Sequence, residues 1–205
     1  WLVSGHRISR RLPWYRGKKK NAMEIESQAL CDVVEQRLFN SPMAISLDCH
    51  SGFGARDRIW FPYAKSVEPI PHLAEMFTLR NLFRSAYPNH SYYTIEPQSF
   101  AYTTHGDLWD YLYDRRNQQQ NGMLLPLTLE MGSWLWIRKN PLQVFNRLGL
   151  FHPLTPHRHQ RILRQHLLLL EFVMRAAANC QHWLPDEDSR REVFEAAQNY
   201  WRPHI

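Results

Sequence analysis

Two short segments of this chain carry the side chains best suited to chemistry. Asp48-Cys49-His50-Ser51-Gly52 closes an apolar run that starts at Met43, and Glu130-Met131-Gly132 closes another that starts at Met123. An imidazole can bind a metal or move a proton near neutral pH. A carboxylate placed beside it can take a proton from water and hand it to a leaving group. In open α/β sheets, ligands bind beyond the carboxyl ends of strands. His50 and Glu130 are therefore expected at one end of one sheet, facing a shared cleft. Asp48 lies two residues before His50, hence on the same face of an extended strand. It has two readings: it orients the His50 ring, or it caps a loop. Cys49 falls on the opposite face and is expected in the core.

The elements that must hold these residues follow from periodicity. Residues 23–38 repeat apolar side chains at helical spacing, with Ala29, Leu30, Val33, Val34 and Leu38 expected inward. Asn40-Ser41-Pro42 breaks the chain. Residues 43–48 read as a buried strand ending in a tight turn. Residues 59–63 read as a second strand, near a sheet edge because of Pro62. Residues 72–87 give a second amphipathic helix, with Leu73, Met76, Phe77, Leu79, Leu82 and Phe83 inward. A strand over 91–97, a short helix over 106–114, a polar loop over 117–122 and a strand over 123–130 follow. Residues 156–178 form a long helix, and residues 188–200 a last one, capped by Asp186 or Asp188. Residues 1–21 are basic and aperiodic, and read as a loop. Strands alternating with helices define an α/β class.

The ordered set is more specific than any one residue. A Tyr15-x-Gly17 segment and a helix opening with Glu24 and Glu26 come first. Then come His50-Ser51 at a strand end, Phe61-Pro62-Tyr63, a Tyr102-x-x-x-Gly106 segment, and a strand delivering Glu130. That order resembles the zinc metallocarboxypeptidase family of the carboxypeptidase A/B type, over about residues 15–175. The resemblance implies an α/β fold with a mixed, mostly parallel sheet and helices on both faces. Residues 1–183 would be the C-terminal part of the catalytic domain, and 184–205 a helical tail. It implies one zinc ion held by His50, with Glu130 as general base. It also implies Tyr102 as a substrate-capping residue, with Trp109 and Asp110 near the side-chain pocket. Trp109 favours a narrow pocket and the flanking acids favour basic side chains; the residues leave both open.

The family's remaining zinc ligands form a His-x-x-Glu pair, and an Asn-Arg pair holds the substrate carboxylate. Both lie upstream of the matching region. The chain opens on Trp1-Leu2-Val3, which reads like a protein interior, so further sequence is expected before Trp1. His72 and Glu75 have His-x-x-Glu spacing, but they follow His50 and are expected to be structural. The first turns of the long helix are rich in histidine (His157, His159, His166), which is expected to be solvated. The implied activity is removal of C-terminal residues from peptides. Hydrolysis of acylated amino acids is the nearest enzymatic alternative, and a non-catalytic binding protein on the same fold is the rival from another class.

Composition narrows the field. Of the 205 residues, 44% are hydrophobic, enough for a substantial core, yet no apolar run approaches a membrane span. The +6 charge is spread over several short clusters without a nucleic-acid-binding signature, so it reads as a solvated surface. Three cysteines with no paired spacing do not form a disulfide framework, which favours a reducing, cytoplasmic setting.

Overall fold

A computed structural model describes residues 23–202, apart from residues 53, 120 and 121 and the side chain of Leu135. The expected basic loop over 1–21, with Tyr15 and Gly17, lies outside the described residues. The chain runs α1 (Ile25–Leu38), β1 (Met43–Gly52), β2 (Asp57–Phe61), α2 (Leu73–Ala86), β3 (Tyr93–Pro97), α3 (Leu108–Gln118), β4 (Met123–Gly132), α4 (Trp134–Lys139), α5 (Pro156–Ala178) and α6 (Glu187–Tyr200). The class is α/β with an open, mixed and mostly parallel sheet of order β1-β4-β2-β3. Among the described residues no helix is long and apolar enough to cross a membrane.

The sheet order carries the main consequence for the site. β1 and β2 are joined by only a few residues, yet they do not pair. β4, arriving much later in sequence, lies between them. Met123 N donates to Pro42 O at 2.9 Å and Ser133 N to Gly52 O at 2.8 Å, so β4 runs parallel to β1. Against β2 it is antiparallel, with Arg58 opposite Glu130 and Ile59 opposite Leu129. β2 is thus an interior strand, not the edge strand that Pro62 implied. Pro62 stands one residue past its end, where no ladder bond needs its missing N–H.

The chain divides into two compact units. Among the described residues, one comprises 23–46, Phe61–Ile70 and Pro97–Pro126; the other comprises Leu47–Trp60, Pro71–Glu96 and 127–202. In the first unit, Cys31, Val34, Phe39, Ala44, Leu112 and Leu124 form the core. The stripe of α1 that faces it is Cys31–Val34–Leu38. Leu30 and Val33, expected inward, are 43% and 55% exposed, because they fall on the adjacent face. α3 starts at Asp107, whose side chain accepts from Trp109 N and Asp110 N, after Gly106 turns the backbone at φ 83°. It runs to Gln118, so the polar segment read as a loop is partly helical. The buried Arg116 of this helix donates to Ser41 O at 2.7 Å and lies over the Phe39 ring.

In the second unit, α2 presents Leu73, Met76, Leu79 and Phe83 to the core, and Phe83 meets Phe172 of α5 edge-on at 5.0 Å. Phe77 and Leu82 are half-buried at the margin of that face. α6 begins at Asp186, which caps it by accepting from Ser189 N. It packs on α2, where Phe77 meets Tyr200 and Trp201. Trp201 Nε1 donates to Ile95 O at 3.0 Å. α4 and the 3-10 turn Pro141–Phe145 were not expected from the sequence, since six- and five-residue elements are too short to show a period.

Candidate functional site

His50 and Glu130 stand at the carboxyl ends of the adjacent parallel strands β1 and β4, and both belong to the second unit. His50 Nε2 lies 2.9 Å from Asp48 Oδ2. A carboxylate accepts, so Nε2 is the donor of this bond and Nδ1 is the ring nitrogen outside it. A carboxylate-bound imidazole with one open ring nitrogen is the arrangement of a metal-ligating histidine and its orienting partner. Asp48 is thus hydrogen-bonded to the His50 ring. The pair is partly exposed, at 54% and 37% of their side chains.

Glu130 is half-buried, and its carboxylate rests against Gly52. Burial pushes its pKa up; His50 opposes the shift and Asp48 adds to it. Opposite it on β2, Arg58 pairs with Glu96. A carboxylate with a raised pKa, close to an imidazole and not sealed from water, is suited to accept a proton.

Two glycines shape this end of the sheet. A Cβ on Gly52 would overlap Glu130 Oε1. A Cβ on Gly132 would stand 2.7 Å from Gly54 O and 2.9 Å from Arg56 O, so the segment after β1 folds tightly over the end of β4. Asp57, buried at the start of β2, accepts from Gly132 N at 2.9 Å and from Gln165 Nε2 at 2.7 Å. The end of β4 that carries Glu130 is thus clamped. Sequence reasoning missed Asp57 and the role of Gly52; the signal for the latter was a small residue directly after His-Ser at a strand end.

Tyr102, Trp109 and Asp110 belong to the first unit. Tyr102 is 38% exposed and follows the 3-10 turn Gln98–Phe100. Trp109 is half-buried against the core that contains Cys31 and Leu112. Asp110 is buried, and its two oxygens accept from Ala64 N and Lys65 N at 2.9–3.0 Å. Burial raises its pKa to about 6, against the lowering effect of those amides. Its carboxylate ties α3 to the segment after β2.

Two other expectations change, those for Cys49 and His166, while the structural reading of Glu75 holds. Cys49 is exposed, not in the core: β1 projects both its faces into partly open surroundings over its last residues. Glu75 is buried and held by Arg190 Nε at 2.6 Å, so the His72/Glu75 spacing serves a salt bridge between α2 and α6. His166 is not solvated; it is half-buried, with Nδ1 2.8 Å from Tyr93 Oη.

Among the described residues no group of three or more His, Cys, Asp or Glu side chains is arranged to hold a metal ion. His50 with Asp48 fits a single ligand position. No family model matches the chain, and no curated protein matches its sequence.

Proposed function

We propose that this chain carries the general-base side of a zinc-dependent metallocarboxypeptidase centre, which hydrolyses the C-terminal bond of peptides. The observation that carries the reading is the Glu130 carboxylate seated on Gly52, beside the Asp48–His50 pair. Asp48 keeps the proton on Nε2 and so keeps Nδ1 available as a ligand. Zinc, when bound there, would polarise the scissile carbonyl and acidify the attacking water. Glu130 takes the proton of that water and returns it to the departing amine. The clamp of Asp57 on Gly132 N holds the strand end so that this carboxylate stays in place. Within the first unit, Asp110 fixes the segment at Ala64 and Lys65. The other zinc ligands would come from outside the described residues. Acylated amino acids are the alternative substrate class for the same chemistry.

In the intact protein, Glu130→Gln should lower hydrolysis of an N-blocked peptide with a free C-terminus by about 10²–10⁴-fold. Zinc content should not change. Wild-type turnover in that variant would overturn the reading. The second reading, a non-catalytic binding protein, is supported by the lack of a three-ligand group among the described residues. It predicts a wild-type protein that neither retains zinc nor cleaves any such peptide.

A further inference from the structure

A cleft of about 610 Å³ opens in the second unit, between the segment at Ala55–Asp57, the start of β3 and the first turns of α5. That volume is in the range of small-molecule sites. Four cationic side chains line it, Arg56, Lys139, Arg158 and Arg161, together with His157 and His166. Among the described residues none of Arg56, Lys139, Arg158 and Arg161 forms an ion pair with a carboxylate. The acidic side chain in the lining, Asp57, is buried, with its oxygens committed to Gly132 N and Gln165 Nε2.

The placement of these cations is electrostatically costly. Arg158 and Arg161 occupy the first two turns of α5, where the helix dipole is positive and acidic residues are favoured. The first turn of α5 has no acidic residue, and its N-cap Thr155 makes no side-chain cap bond. Arg158 is half-buried and reaches the carbonyl oxygens of Trp136 and Lys139 at 3.4–3.5 Å, which directs it to the cleft. The floor is rigid. Gln165 binds Asp57, and His166 binds the Tyr93 hydroxyl. Tyr92, half-exposed at the rim, packs against the edge of the His90 ring and offers an apolar surface. Like charges gathered on a firm frame are relieved by a multivalent anion. Guanidinium groups match phosphoryl oxygens in pairs.

We propose that this cleft binds a compact organic phosphate carrying at least two negative charges. Arg158, Arg161 and Lys139 meet the phosphoryl oxygens, and Tyr92 flanks the organic part. The site does not depend on the hydrolytic reading above, because none of the residues that meet the ligand serves that chemistry.

The test is calorimetric titration of the protein with pyrophosphate and with ADP at low ionic strength. Both should bind with one-to-one stoichiometry, and the affinity should fall steeply with added salt. The Arg158→Ala/Arg161→Ala double variant should bind at least ~10-fold more weakly, as expected for lost charged hydrogen bonds. Arg161→Ala alone, at an exposed position, should show part of the loss with an unchanged melting temperature. Arg191→Ala, an exposed arginine paired with Glu195 on α6, should bind as wild type. No binding of either anion at millimolar concentration would overturn the proposal. So would equal affinity in the double variant, or an acidic peptide binding more tightly than ADP.

Discussion

The carboxylate of Glu130 sits on the Cα of Gly52: a methyl group at position 52 would overlap Oε1 and stand 3.1 Å from Cδ. The two residues end adjacent parallel strands, and only a glycine leaves room for the acid there.

Gly52→Ala therefore tests the seat of the carboxylate. The group in the way is the end of a flexible side chain, so the protein should fold, with a melting temperature within ~4 °C of wild type. Glu130 should be displaced, and peptide hydrolysis should fall about 10²-fold, as for a misplaced catalytic group. Full activity in a folded Gly52→Ala protein would show that Glu130 does not act from this position.

Asp48→Ala tests the orientation of His50. In the wild type, nitrogen NMR should find the His50 proton on Nε2, because Asp48 accepts it. In the variant the two tautomers should mix, and zinc affinity should fall about 10–100-fold. An unchanged tautomer would remove Asp48 from the site.

Glu130 should leave a mark on stability. Burial holds its pKa above the ordinary value of 4.5, so the folded chain binds this proton more tightly than the unfolded chain. Its contribution is favourable below the ordinary value and is lost as pH rises through the raised one. Glu130→Gln should melt higher than wild type at neutral pH, and the two curves should converge in acid. A difference that persists below the ordinary value would point to a packing change instead.

Asp110→Ala should destabilise the protein by about 2–3 kcal/mol in chemical denaturation, since it strands the buried amides of Ala64 and Lys65. Because burial raises the Asp110 pKa to about 6, the wild type should lose stability as pH climbs from the ordinary Asp value toward it. Asp110→Asn should lack that slope. A wild-type denaturation midpoint in Asp110→Ala would show that the amides find other partners.

Arg190→Ala leaves the Glu75 carboxylate buried without its guanidinium. The expected cost is about 2 kcal/mol, below that of a fully buried pair, because the Arg190 side chain is 42% exposed. Adding Glu75→Ala should recover part of it, and strict additivity would argue against a direct coupling.

What the sequence determined on its own was local. The bounds of α5, the strands that deliver His50 and Glu130, and the start of α6 at Asp186 or Asp188 were all legible, and the structure chose Asp186 for the cap. Helical and strand periods, and the turn and cap residues that punctuate them, act over a few positions. The tertiary structure alone decided the rest. Leu30 and Val33 carry the right spacing for burial, but the stripe one position over won the core. Asp110 has the type of a substrate contact, yet two backbone amides from a distant segment hold it. The seat of Glu130 on Gly52 exists because β4 enters between β1 and β2. The cationic cleft gathers residues from segments that are far apart in sequence. Strand order is set by backbone hydrogen bonds and buried area between remote segments. Those bonds are nearly the same for any residue, so the choice of neighbour leaves no local trace.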